Sequence, residues 1–229
     1  MTAASARRKS PPARANARGR PPKAELNASA LDTRNRILQA AATAFHTLGF
    51  DGASVKNVAE RVGITPAALY WHFKSKQDIL YALLEDKMQD FVEFVLAASG
   101  QDEDPSRQLE LIAAAHARWQ LSQQHILGFI GTTHSISILA SGLTTRQRNV
   151  LETWQRKYLE RLAEILRGGV RLKQFVIEDP TATALMIIAM CDHVTTWFKE
   201  SGKLDAATVA LMHGRYAVRM VSASSRRAP

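Results

Sequence analysis

The stretch that decides the fold spans residues 54–76 and reads SVKNVAERVGITPAALYWHFKSK. Residues 54–62 place apolar side chains at the i, i+3, i+4, i+7 spacing of one buried helical stripe. Gly63 then permits the left-handed conformation that ends a helix, and Thr65 with Pro66 opens a second, short helix. Two helices joined by a turn that contains glycine form the helix-turn-helix pattern, whose second helix enters the DNA major groove. The stretch therefore predicts a DNA-reading head.

The second helix of this pattern is predicted to have an inward face and a DNA-facing one. Leu69 and Phe73 lie four residues apart, so both can anchor the helix to the core. This spacing turns Tyr70, Trp71 and His72 toward the duplex. A short helical hairpin closed by an aromatic plug is the alternative interpretation.

A third helix is predicted to start directly after the aromatic residues. Ser75 and Asp78 have the spacing of a capping box, which places Lys76 near the helix N-terminus. A helix N-terminus with a lysine is a natural phosphate site. We therefore expect Lys76 to contact a DNA phosphate.

These residues resemble the DNA-binding domain of TetR-family (tetracycline-repressor type) transcriptional repressors. The resemblance covers about residues 32–90, including a first helix with a small apolar face that ends at Gly49-Phe50. It implies an all-α protein with an N-terminal three-helix, helix-turn-helix DNA-binding domain, followed by a larger helical domain that binds an effector and dimerises. The positions expected to contact DNA are Ser54, Lys56, Thr65, Pro66, Ala67, Tyr70, Trp71, His72 and Lys76.

Most of the positive charge lies before this domain. The formal net charge is +9; residues 1–31 hold seven basic residues and one acid, so they carry +6 and the remaining 198 residues carry +3. We predict a disordered basic arm over residues 1–31 that is attracted to DNA phosphates. Arg18-Gly19-Arg20-Pro21 looks like the core of an AT-hook, with Arg18 and Arg20 in an A·T-rich minor groove. A solvated tail with loose phosphate contacts is the alternative.

Beyond the head, apolar stripes of helical period predict further helices and no strand. The helices are expected at 78–97, from Ser106 onward, and at about 125–140, 145–167, 180–199 and 205–221. The predicted domains are 32–77 for DNA and 78–223 for effector binding and dimerisation, with a disordered tail at 224–229. The resemblance implies a homodimer through the last two helices, which are strongly apolar; an ordinary monomer core is the alternative.

The sequence shows no catalytic or metal-binding constellation. The histidines lack a short-spaced metal motif, and neither a phosphate-cradling glycine loop nor a nucleophile elbow is present. We expect no enzymatic activity, metal or cofactor. A small-molecule pocket is usually apolar with a few polar handles. The candidates for lining one, each of which alternatively belongs to the plain core, are Trp119, Phe129, His134, Trp154 and Tyr158.

The sequence thus predicts a repressor that binds a palindromic double-stranded DNA operator and is released by a small molecule. Residues 144–200 loosely resemble members that respond to lipids or acyl-CoA. The alternative is an architectural DNA-binding protein without an effector. One cysteine, Cys191, cannot form an internal disulfide, which fits a reducing cytoplasm. No apolar run is long enough to span a membrane, and none follows the basic Arg7-Arg8-Lys9 as an export signal requires.

Overall fold

The computed structural model describes the backbone of residues 23–100, 102–127 and 142–222, and the side chains of 31–100, 102–123 and 142–222. Within these ranges the secondary structure is helical, apart from an isolated bridge between Phe175 and Ser222. This confirms the predicted all-α class. The described helices are α1 (Lys23–Gly52), α2 (Val55–Val62), α3 (Pro66–His72), α4 (Lys76–Ser99), α5 (Pro105–Leu127), α6 (Thr145–Arg171), α7 (Pro180–Asp192), α8 (Val194–Trp197) and α9 (Ala206–Val221).

Helix starts in the head follow the predicted capping chemistry. The Ser54 hydroxyl accepts from the backbone N–H of Asn57 at 3.1 Å, and the Asn57 side chain accepts in return from the Ser54 N–H at 2.8 Å. Thr65 caps α3 by accepting from the N–H of Ala68 at 3.1 Å. Gly63 ends α2 at φ 76°, where a residue without Cβ is favoured.

Helix α1 begins earlier than predicted. It starts at Lys23, inside the segment predicted as a disordered arm, and bends at Gly49, where φ is 72°. Residues 23–31 read KAELNASAL, and their alanines, leucines and glutamate are good helix formers that continue the helix backward. The prediction of disorder therefore fails for residues 23–31.

Two boundaries in the second half also differ from the prediction. Helix α6 passes through Gly168 and Gly169 instead of ending there, because Gly169 lies against the ring of Phe175, where a Cβ would overlap ring atoms. Gly169 thus allows α6 to pack closely against the Phe175 ring. The helix expected over 180–199 breaks at His193, and α8 follows as one short turn.

Two hydrophobic clusters form the core. The cluster of the head contains side chains of α1 to α4 and also Leu143, just before α6, and Leu151 of α6. The second cluster joins the later part of α4 to α5, α6, α7 and α9. Since Ile79, Leu80 and Leu83 complete the first cluster, the predicted boundary after residue 77 cuts through the core of the head. Helices α4 and α6 thus belong to both clusters.

Candidate functional site

Helix α3 presents one buried and one exposed face. Leu69 is fully buried and Phe73 is 5% exposed, so both anchor the helix as predicted. Tyr70 is 51% exposed and Trp71 is 91% exposed. An aromatic ring that is almost fully exposed on a short, capped helix is available to a partner surface.

The other predicted DNA-contact positions flank this face. Ser54, Lys56, Thr65, Pro66 and Ala67 are exposed. The Lys56 ammonium group lies 3.8 Å from Glu60, but both side chains are largely exposed, so this ion pair is weak and leaves the lysine available.

The half-buried residues of the group are His72, at the C-terminal end of α3, and Lys76, at the start of α4. Two arginines of α1 contact α2 and α3, the two helices of the helix-turn-helix, which we call the reading pair. Arg36 donates from Nη2 to the carbonyl of Val62 at 2.8 Å, which ties the end of α2 to α1. The guanidinium of Arg34 lies 5.5 Å from the ring centroid of Phe73.

The Lys76 side chain forms its hydrogen bonds within the head, whereas the sequence predicted a contact with a DNA phosphate. Its Nζ donates to the carbonyl oxygens of Phe50 at 2.8 Å, Ala53 at 3.0 Å and Asp51 at 3.4 Å. The ammonium group also lies 4.4 Å from the centroid of the Phe50 ring. All three donors of this side chain are therefore engaged at the end of α1.

The part of the protein built around the second hydrophobic cluster contains a largely buried polar cluster of four side chains, His116, Gln120, Tyr158 and Asp192, which we call the α5–α7 cluster. His116 Nε2 lies 3.0 Å from Asp192 Oδ1, and His116 Nδ1 lies 3.0 Å from the Tyr158 hydroxyl. Gln120 donates to the same Asp192 oxygen at 2.7 Å. Since that oxygen accepts, His116 donates to it from Nε2.

The electrostatics of the cluster follow from its burial. Burial, followed by the nearby Cys191 and Asp192, raises the pKa of Tyr158 well above its ordinary value. Burial and then Asp192 also raise the pKa of Cys191, whose Sγ contacts the carbonyl of Ala113 at 3.6 Å. Among the described side chains, no fully buried N or O atom lacks a hydrogen-bond partner. The cluster is thus a satisfied network that joins α5, α6 and α7.

An aromatic group covers this cluster on the α4 side. The Phe91 ring packs against His116 and Tyr158, with centroids 4.8 and 5.4 Å away, and lies 6.0 Å from Trp119. Phe94 extends the group, 5.4 Å from Trp119. Two of the predicted ligand residues, Trp119 and Tyr158, are therefore brought together through Phe91.

Of the remaining predicted site residues, Trp154 packs against the second cluster, as Phe91 does, and the others are not described. Trp154 is half-buried on α6 and carries the Lys157 ammonium 5.0 Å from its ring centroid. Phe129 and His134, in a predicted helix, lie outside the described residues, as do Arg18 and Arg20 of the arm.

Sequence reasoning missed three members of the α5–α7 cluster. His116 and Gln120 lie four residues apart on one face of α5, a signal visible in the sequence. Asp192 comes from a helix 72 residues beyond Gln120, so its pairing with α5 depends on tertiary packing. In the described parts of the chain, no group of histidine, cysteine and acidic side chains could hold a metal ion. None of the described helices is long and apolar enough to cross a membrane.

Comparison with known proteins covers both halves of the chain. Residues 37–83 match the family described as "Bacterial regulatory proteins, tetR family". Residues 102–221, more than half of the chain, match the family described as "Tetracyclin repressor-like, C-terminal domain".

Individual relatives agree with these matches. The "Fatty acid metabolism regulator protein" of Bacillus subtilis (strain 168) is 26% identical over 179 residues, which cover 76% of this chain and 88% of that protein. A tetR-family regulatory protein from Rhodococcus RHA1 has a TM-score of 0.75 at 21% identity, over 84% of this chain and 98% of that one. AibR, solved with isovaleryl coenzyme A and operator DNA, has a TM-score of 0.69 at 23% identity, over 83% and 98%. This chain belongs to the TetR family and is a DNA-binding transcriptional regulator, not an enzyme.

Proposed function

We propose that the protein is a repressor that binds a palindromic operator as a homodimer and is released by an acyl-CoA-like effector. The observation that carries the DNA-binding part is the exposed face of α3, with Tyr70 and Trp71 outward above the buried Leu69 and Phe73. We propose that this face enters the major groove, flanked by the exposed residues Ser54, Lys56, Thr65, Pro66 and Ala67.

The dimer is proposed to form through α7 and α9. Each helix buries one face in its own chain, with Ile187 and Ala217 fully buried. The opposite faces expose large apolar side chains, which supports a protein interface there. The exposed residues are Leu185 and Met186 of α7, and Leu211, Tyr216 and Met220 of α9.

Two features support an effector with an acyl group and phosphates. The aromatic group of Phe91, Phe94 and Trp119 offers apolar contacts beside the α5–α7 cluster. Further along α6, a groove is lined by Arg161, Arg167 and Arg171 as well as by two glutamates, and arginine is suited to phosphate. A relative that is named as a regulator of fatty acid metabolism and the coenzyme A thioester bound to AibR point to the same ligand class.

The proposed compartment is the cytoplasm.

The experiment starts from an operator selected from random duplexes with the purified protein. The affinity of the protein for this operator is then measured by fluorescence anisotropy with oleoyl-CoA, free oleate or coenzyme A present. We expect oleoyl-CoA to weaken operator binding by about 5–150-fold, as is usual for allosteric coupling. Oleate and coenzyme A alone, which each lack half of the ligand, should have smaller effects.

One variant tests whether the effector binds beside Trp119. Trp119→Ala should reduce the response to oleoyl-CoA while leaving operator affinity without ligand unchanged, because Trp119 contacts Phe91 and Phe94 and is not part of the hydrophobic cluster of the head. If oleoyl-CoA bound and operator affinity did not change, release by this ligand class would be wrong. That result would favour an architectural DNA-binding protein.

A further inference from the structure

Lys76 occupies an unusual position for a cation beside a DNA-reading helix. It is the first residue of α4, yet its side chain points to the end of α1, where three carbonyl oxygens, those of Phe50, Asp51 and Ala53, lie within 3.4 Å of Nζ. The Phe50 ring closes one side of the ammonium group, with its centroid 4.4 Å away.

The last carbonyl groups of α1 require hydrogen-bond donors, and the Lys76 ammonium group supplies them. The last carbonyls of a helix lack N–H partners within the helix, and a cation near a helix C-terminus is stabilising. Gly49 bends α1 with φ 72° and ψ 163°, which turns the following carbonyls away from regular helical pairing. An ammonium group carries three donors on one atom, and so it suits oxygens that converge on one point.

The same contact lies next to the start of the reading pair. Ala53, one of the acceptors, directly precedes Ser54, which caps α2 through its reciprocal hydrogen bonds with Asn57. The Phe50 ring in turn packs edge-on against Phe45 at 5.2 Å in the core of the head. Lys76 therefore ties the first residue of α4 to the segment that sets where α2 begins.

We propose that Lys76 is a positioning residue for DNA recognition, which holds the α1–α2 turn against α4 and so fixes the reading pair relative to the groove. A direct phosphate contact would require the ammonium group to leave carbonyls that it now satisfies. Lys74 provides the contrast, since its side chain is exposed and, in the part of the chain that the structure describes, forms no hydrogen bond or ion pair. This inference rests on the proposed docking of α3 but concerns a different group.

The test uses the full-length variants Lys76→Arg and Lys76→Met, with Lys74→Met as the matched control. Affinity for the selected operator and for a random duplex is measured over a range of salt concentrations, and hydrogen exchange is followed at the amides of residues 53–58. Arginine keeps the charge and binds phosphate well, but its planar guanidinium cannot direct three donors from one atom.

If Lys76 positions the reading pair, Lys76→Arg should lower operator affinity by about tenfold, in line with the loss of a charge-assisted hydrogen bond. Its binding to random DNA and its salt slope should remain those of the wild type, and exchange at residues 53–58 should become faster. Lys74→Met should instead weaken binding to both duplexes and reduce the salt slope by about one.

The proposal is overturned if Lys76→Arg binds both duplexes like the wild type while Lys76→Met loses about one unit of salt slope on both. That pair of results would make Lys76 a phosphate ligand. Should Lys76→Met fail to fold, Lys76→Arg still decides through its hydrogen exchange and its ratio of specific to random binding. A wild type that itself binds all duplexes equally would instead refute the proposed operator recognition.

Discussion

At the scale of single residues, burial in the effector domain controls protonation. Tyr158 and Cys191 are both fully buried, and burial raises the pKa of each from ordinary values of 10.0 and 9.0. The unfolded chain ionises these groups at lower pH than the folded protein does. Their contribution to stability is therefore complete below about pH 9 and is lost progressively as pH rises above that value.

This difference predicts an alkaline loss of stability that can be assigned to one side chain. For the wild type, the free energy of unfolding should fall above about pH 9, by up to about 1.4 kcal/mol per pH unit for each such group. Tyr158→Phe should have a shallower slope above pH 10. Tyr70→Phe, at an exposed tyrosine of α3 that lies outside the proposed dimer face, is the control and should keep the wild-type slope. Equal slopes for Tyr158→Phe and the wild type in urea titrations would show that Tyr158 ionises alike in both states.

At the scale of helices, local chemistry was predictable and long-range pairing was not. The caps at Ser54, Thr65 and Ser75 and the break at Gly63 each depend on residues within three positions, and all are found where the sequence indicated. Gly168 and Gly169 misled the prediction, because their packing partners, Pro105 for Gly168 and Phe175 for Gly169, are set by tertiary structure.

For the site residues too, arrangements that depend on neighbouring residues were predictable, and arrangements that depend on tertiary packing were not. The outward side chains of α3 follow from the spacing of Leu69 and Phe73. The three carbonyls around Lys76 require the bend at Gly49, and the α5–α7 cluster requires α7 to pack on α5. The contacts of Lys76 have no short-range pattern in the sequence, and in the α5–α7 cluster only the spacing of His116 and Gln120 does.

Packing of α9 on α5 provides a prediction at the helix scale. A Cβ at Gly214 would overlap the backbone carbonyl of Glu110, and backbone cannot move aside as a flexible side chain can. Gly214→Ala should destabilise the protein by about 1–3 kcal/mol through overpacking, although alanine is the better helix former. At Gly168, a Cβ would lie 3.4 Å from the Pro105 ring, which is ordinary contact.

Gly168→Ala is therefore the matched control. It should be neutral or stabilising by up to about 1 kcal/mol, the gain expected from helix propensity. Urea unfolding of both variants measures the two effects. A Gly214→Ala protein as stable as Gly168→Ala would show that α9 does not approach α5 as closely as the structure has it.

At the scale of the whole molecule, the charge is unevenly distributed along the chain. Residues 1–22 contain six basic residues and no acid. Deleting them should leave thermal stability nearly unchanged, because the segment is rich in Ala, Arg, Pro and Ser and has no apolar periodicity from which to build a core. The deletion should lower DNA affinity and flatten its salt dependence, because phosphate contacts are lost.

The sequence of the flanking DNA separates the two interpretations of this segment. If Arg18 and Arg20 enter the minor groove, the loss on deletion should be larger for operators with A·T-rich flanks than for those with G·C-rich flanks. Equal losses on both would leave a purely electrostatic contact. Unchanged affinity at low salt would show that residues 1–22 do not contact DNA.

The central claim is that two copies of the α3 face read a palindrome. The most direct measurement compares binding to the selected palindrome with binding to a random duplex of the same length and salt. We predict a preference of about 10³ or more, two protomers per palindrome, and half-sites about 34–36 Å apart. Trp71→Ala should reduce this preference. A preference within about tenfold, a range well below specific recognition, would contradict the account.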